Sequence, residues 1–358
     1  MTILFLIALL TYSGQNQNTV RSPHVLMQTL YDLRVISDQS YTAWFHSQPD
    51  YHRYVIPDLE FRNRTYDHLS VINVGVHFSY GSVDYAIWDT AVHWIAIYYE
   101  YSVNYVVGRI NRKFNELSNG EIDRFMDNLE YNYDSYISLF SLVTFKPVWK
   151  HGFSNFHSCN FKTTTNVNIM TNFMQSPVLE LKYGINNNFK AVELPLENQL
   201  YSLLLLLPLE GKNVDDYIKS IDTQGMIDIY KQLNPTNVSV LIPRNNFDDS
   251  HDSKQIFNNS LNQKPFEDRI FRPVRDQDGC PVFEMTQRLK VVFDTNGVEN
   301  ATSSGSLENS KVFLANRPFW FLLVERRVNV LLMIGHIRKP GVDLYETGQQ
   351  DTCPEAVD

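Results

Sequence analysis

Side chains equipped for chemistry are thinly spread along this chain. It has ten histidines and three cysteines in 358 residues, yet they form no His-Glu-x-x-His motif, no Gly-x-Ser-x-Gly turn and no paired cysteine ligands. His46 with His52, and His151 with His157, suit surface or satisfied core histidines better than a metal centre. No catalytic residue, cofactor or metal is assigned, and the chain is not read as an enzyme. Cys159, Cys280 and Cys353 are widely separated and odd in number, so one thiol is left over even if two pair. Cys353 lies in a polar tail and reads as a free or intermolecular thiol. Asn63, Asn237, Asn258 and Asn300 each begin an Asn-X-Ser/Thr sequence, the acceptor for a glycan on a secreted chain.

The net charge of -9, with lysines and arginines scattered, leaves no basic stripe to track a phosphate backbone, and nucleic acid is excluded as a partner. The pair Arg326-Arg327 reads as a solvated turn. A short apolar run, Ile3 to Leu10, ends in the small residues Ser13 and Gly14. It reads as a secretory signal over 1–14 and is too short to cross a bilayer. No other stretch reaches membrane length, so a secreted, extracellular monomer is expected, with a protein as partner. No repeat or long Pro/Gly/Ser linker occurs, which predicts one domain over 20–340 and a trailing acidic tail over 341–358.

The elements that must position any site read as a mixture of strands and separate helices, the α+β class. Val71 to Val76 has the composition of a buried strand. Ile110 to Leu129 shows helical spacing broken at Asn119-Gly120, which predicts two helices around a turn. Ile137 to Thr144 reads as a strand buried on both faces. Tyr201 to Leu209 is an almost continuous apolar run with the length of a central strand, and a helix is expected from about Asn213. Pro318 to Glu325 and Val330 to Ile337 flank a four-residue turn and predict a hairpin.

The run Phe313-Leu-Ala-Asn-Arg-Pro-Phe-Trp-Phe321, followed by Val330 to Pro340, resembles the closing segment of the serpin family, the last two strands of its sheet B. Phe145-Lys146 with Trp149 and Phe153 resembles the segment that ends the third strand of sheet A, where loop insertion starts. Ile110-Asn111 with Ser118 to Ile122, Glu193-Leu194-Pro195 with the leucine-rich strand, and Val238 to Pro243 match further family stretches in order. Ser22-Pro23 resembles the entry to the second helix, with Val25 in place of a serine. The resemblance implies three β-sheets with surrounding helices and an exposed reactive-centre loop.

It also implies a mechanism. An inhibitory member offers its loop to a serine protease, is cleaved, and traps the acyl-enzyme as the loop enters sheet A as a new strand. The hinge would be Gly297, Val298, Glu299, Asn300, Ala301 and Thr302. Gly297, Glu299 and Ala301 fit the inhibitory pattern. Thr295 stands for a glutamate, Val298 for a small hydroxyl residue and Asn300 for an alanine, and Gln287 stands near where relatives often carry a histidine. Counting forward from Gly297 puts the scissile bond at Lys311-Val312, with Lys311 as a basic bait for a trypsin-like protease. Counting back from Asn316 puts it at Leu307-Glu308. Two activities stay open: protease inhibition by loop insertion, and non-inhibitory binding or immunomodulation through the surface.

Overall fold

The computed structural model describes residues 18–33, 69–79, 92–131, 137–153, 155–197, 199–212, 223–254, 264–269, 279–295, 297–299, 310–326, 330–340 and 352–354, with single positions at 37, 39, 218 and 271. The described elements begin with β1 (Thr19–Arg21), α1 (Pro23–Asp32), β2 (Leu69–Ser79), β3 (His93–Tyr98) and α2 (Val103–Leu117). It continues through β4 (Ile137–Phe145), β5 (Trp149–His151), β6 (Asn155–Lys162), β7 (Asn168–Gln175), β8 (Leu179–Ile185), β9 (Phe189–Pro195) and β10 (Tyr201–Pro208). Then come α3 (Thr223–Gln232), β11 (Asn234–Pro243), β12 (Asn245–Asp252), α4 (Lys264–Glu267), β13 (Val282–Phe293), β14 (Gly297–Glu299), β15 (Lys311–Leu314), β16 (Phe319–Glu325) and β17 (Val330–Ile337).

Contacts group these elements into two compact units that interleave along the sequence. The first is drawn chiefly from His24–Thr144 and Ser250–Leu289, the second from Thr2–Pro23, Phe145–Asp249 and Lys290–Asp358. Each unit is assembled from separate segments of the chain.

The first unit carries most of a five-stranded sheet of order β12-β13-β4-β2-β3. β2 runs parallel to β3 with Val74 opposite His93, and alternate residues Ile72, Val74, Val76 and Phe78 join the core. β4 is buried along its whole length, which is why it reads as a continuous apolar run. α2 begins at the cap Ser102, whose side chain accepts from the Tyr105 amide, and buries Val106, Val107, Ile110 and Phe114. It ends where Asn119 and Gly120 take positive φ of 52° and 82°, and the Gly120 amide closes on the Asn115 carbonyl at 2.9 Å.

The second helix expected after that turn does not form, and 121–131 is irregular. Asn111 explains the difference. Its Oδ1 accepts from the amides of Phe125 at 2.9 Å and Met126 at 3.0 Å, and its Nδ2 donates to the Met126 carbonyl at 2.9 Å. These bonds hold the segment open while Ile122, Phe125 and Leu129 are buried as separate anchors. Their helical spacing records burial rather than a helix.

The second unit holds ten strands in the order β1-β17-β16-β10-β9-β8-β11-β7-β6, with β15 paired to β11. Leu203, Leu204 and Leu205 of β10 lie opposite Leu323, Leu322 and Phe321 of β16, all buried. β16 and β17 form the expected antiparallel hairpin. Pro23 occupies the first position of α1, where its missing amide hydrogen costs nothing, while the Ser22 hydroxyl donates to the Leu332 carbonyl at 2.7 Å. The helix expected from Asn213 starts outside the described residues, and the described helix there is α3.

Cys159 is bonded to Cys353 across 194 residues, and Cys280 is the free thiol, buried. Cys353 is therefore neither free nor intermolecular as expected: Thr352 and Cys353 lie against β6, and sequence distance carried no sign of it. Among the described residues no helix is long and apolar enough to cross a membrane.

Candidate functional site

The hinge is positioned by two three-residue strands. β14 comes directly after β13 and runs parallel to β5, which comes after β4, with Gly297 opposite Trp149 and Glu299 opposite His151. The two strand ends flanking the expected insertion point thus feed one small ladder. Phe145 closes β4 fully buried, and Lys146 beyond it is exposed. Trp149 is 1% exposed; its indole N–H donates to the Asp294 carbonyl at 2.6 Å, and its ring meets Phe153 edge-on at 5.2 Å and Phe293 at 6.1 Å. The tryptophan that the resemblance singled out ties the end of β13 to β5.

The hinge backbone lies very close to its neighbour. A Cβ at Gly297 would stand 2.2 Å from the Gly152 nitrogen and 2.3 Å from its Cα, so only glycine fits there. The Phe153 amide donates to the Thr295 carbonyl at 3.2 Å, extending the ladder by one bond. Asp294 also receives Arg244 at 3.3 Å, with both side chains at least a third exposed, a pair of little energetic weight. Gly152, Asp294 and Arg244 escaped the sequence reading, which had no partner to give them. The glycine in Trp149-Lys-His-Gly152-Phe153 was the available signal. The cavity beside Trp149, about 10 Å³ and lined by Phe153, Leu181 and Leu194, has room for one water at most. The site is built for backbone pairing rather than for a small molecule.

Of the remaining expected residues, Val298 and Glu299 have their backbones in β14, while Asn300, Ala301, Thr302, Leu307 and Glu308 lie outside the described residues. Lys311 and Val312 are the first residues of β15, in parallel register with Val238 and Ser239; Lys311 is half-buried and Val312 buried. Gln287 is buried within β13. Asn237 is half-buried within β11 opposite Glu180, whereas Asn63 and Asn258 are outside the described residues.

A family model described as serpin, serine protease inhibitor, matches residues 101–340. The chain is 28% identical over 228 residues to an FXa-directed anticoagulant of Aedes aegypti, covering 62% of this chain and 52% of that protein. It is 24% identical to human Serpin I2, covering 62% and 58% of the two. The chain thus spans little more than half the length of these curated relatives. SRPN18 from Anopheles gambiae superposes with a TM-score of 0.79 at 17% identity over 95% of this chain and 96% of that structure. Native protease nexin-1 with heparin gives 0.81 at 17% identity, over 94% and 97%. The solved structures carry the fold, the family match covers well over half of the residues, and the chain belongs to the serpin family.

Proposed function

We propose that this chain is a secreted serpin that engages a serine protease through residues 300–310, with its hinge as the part that enters the five-stranded sheet between β4 and β13. The supporting observation is the ladder of β14 on β5. The hinge leaves β13 and is already paired in register beside the strand that leaves β4, so insertion requires unzipping two short strands and reversing the chain near Gly297. A bait bond within 300–310 also fits the position of Lys311-Val312, since a bond paired to β11 would have to leave its strand to enter a protease cleft. That placement favours the count from Asn316, at Leu307-Glu308. In this reading the chain is the protease's partner and has no catalytic residues.

A second reading has its own support. The tight seat of Gly297 holds the hinge outside the sheet, and a glycan on Asn300 would be too bulky to follow it in. A serpin so held would bind a partner without trapping a protease.

Incubating the purified secreted protein with trypsin-like and chymotrypsin-like proteases, followed by denaturing electrophoresis and melting of the cleaved product, separates the two. The inhibitor reading expects a complex that survives denaturation and a large rise in thermal stability after cleavage. Plain cleavage with neither leaves the binding reading.

A further inference from the structure

Among the described strands β6 ends the ten-stranded sheet, so one side of its backbone has no strand partner. Such an edge is a template for adding another chain. The bonds that cover it include the Lys162 amide donating to the Asn316 carbonyl at 2.8 Å and the Thr352 amide donating to the Ser158 carbonyl at 2.9 Å. Thr352 does more than pair. Its Oγ1 accepts from the Ser158 amide at 3.0 Å, and its carbonyl lies 3.0 Å from His157 Nδ1. The other ring nitrogen of His157 lies 2.6 Å from Gln175 Oε1, and Gln175 donates to Ser239 at 3.0 Å, so the histidine is held in place by the sheet. One threonine thus uses its amide, carbonyl and hydroxyl together, a level of recognition beyond that of a passing loop.

The disulfide from Cys159 to Cys353 fastens the neighbouring residue. Phe156, two positions before Ser158 on the same edge strand, is 57% exposed, so apolar surface lies ready beside the occupied subsite.

We propose that the β6 edge is a docking site for an extended segment bearing a hydroxyl residue, that Thr352 is its resident occupant, and that reducing the Cys159–Cys353 disulfide opens it to the same segment of a second copy. A dithiol reductant supplies the two electrons. The sulfur–sulfur bond breaks, Cys159 and Cys353 become thiols, and the reductant closes to its own disulfide. Cys280 stays out of the exchange, being buried with its thiol pushed up to about 12 by that burial and so carrying little thiolate.

The probe is an acetylated, amidated peptide of residues 351–355 carrying Cys353→Ser, titrated into the full chain with and without dithiothreitol and followed by amide chemical shifts of β6. Saturable binding to the reduced chain, at least tenfold weaker for the oxidised chain and for a Thr352→Val peptide, is the expected result. Sedimentation is then expected to show the reduced chain forming dimers that the free peptide disperses. Equal binding to oxidised and reduced chain, indifference to Thr352→Val, binding with no dimer, or no binding at all overturns the proposal. Should reduction unfold the chain, seen as a lost melting transition, the chain with both Cys159→Ser and Cys353→Ser replaces it and the same outcomes decide. The readout is independent of protease inhibition, so failure here and failure of the inhibitor reading are told apart.

Discussion

Gly297 and Trp149 carry separable loads at the hinge. Replacing Gly297 with alanine puts a methyl group about where the Gly152 backbone stands, and overpacking of that kind costs about 1–3 kcal/mol. Because β14 is short, the strain is relieved by unpairing it. Amide exchange at 297–299 and 149–151 is therefore expected to rise at least tenfold, with the global melting temperature nearly unchanged. A large global loss with the ladder still protected would show that the strain spreads into the sheet. Trp149→Phe keeps most of the ring packing and removes the donor to the Asp294 carbonyl. Loss of this partly buried hydrogen bond is worth about 1 kcal/mol, read as a shift in the urea midpoint with the slope preserved.

At the scale of elements, the bonds from Asn111 decide the path of the chain beyond α2. Asn111→Ala removes three hydrogen bonds and is expected to cost about 2–3 kcal/mol. Asn111→Asp keeps the two acceptor bonds and gives up the donor, so a smaller loss is expected, and equal losses would refute the account. The same segment shows where reading elements from sequence stops. β4, β10 and the β16–β17 hairpin were legible because full burial leaves uninterrupted apolar runs. Residues 121–131 bury apolar side chains at helical spacing on an irregular backbone, and periodicity does not tell the two apart. β5 and β14 were invisible as strands, since three residues have no period. Their importance was legible only through the resemblance that marked Trp149 and Gly297.

For the whole molecule, two buried histidines set an acid limit. Burial pushes His24 and His77 from the ordinary value of 6.5 down to about 4. The unfolded chain takes up these protons below about pH 6.5 while the folded chain resists until about pH 4, so the contribution of these two histidines is full above 6.5, falls through this window and changes no further below it. The limit is about 3 kcal/mol for each histidine. In His77→Leu the fall in denaturant midpoint between pH 6.5 and 4 is expected to shrink by roughly half of the histidine share. An unchanged slope would place the linkage elsewhere.

The α+β class, the strands buried on both faces, the closing hairpin and the family resemblance were legible in the chain's residues, because each rests on local composition and order. Tertiary structure alone decided the bond between Cys159 and Cys353, the hold of Asn111 on the segment after α2, and the pairing of the hinge with β5. These depend on which distant backbones meet, and a Cβ clash at Gly297 or a hydroxyl in register with Ser158 exists only after the chain has closed on itself.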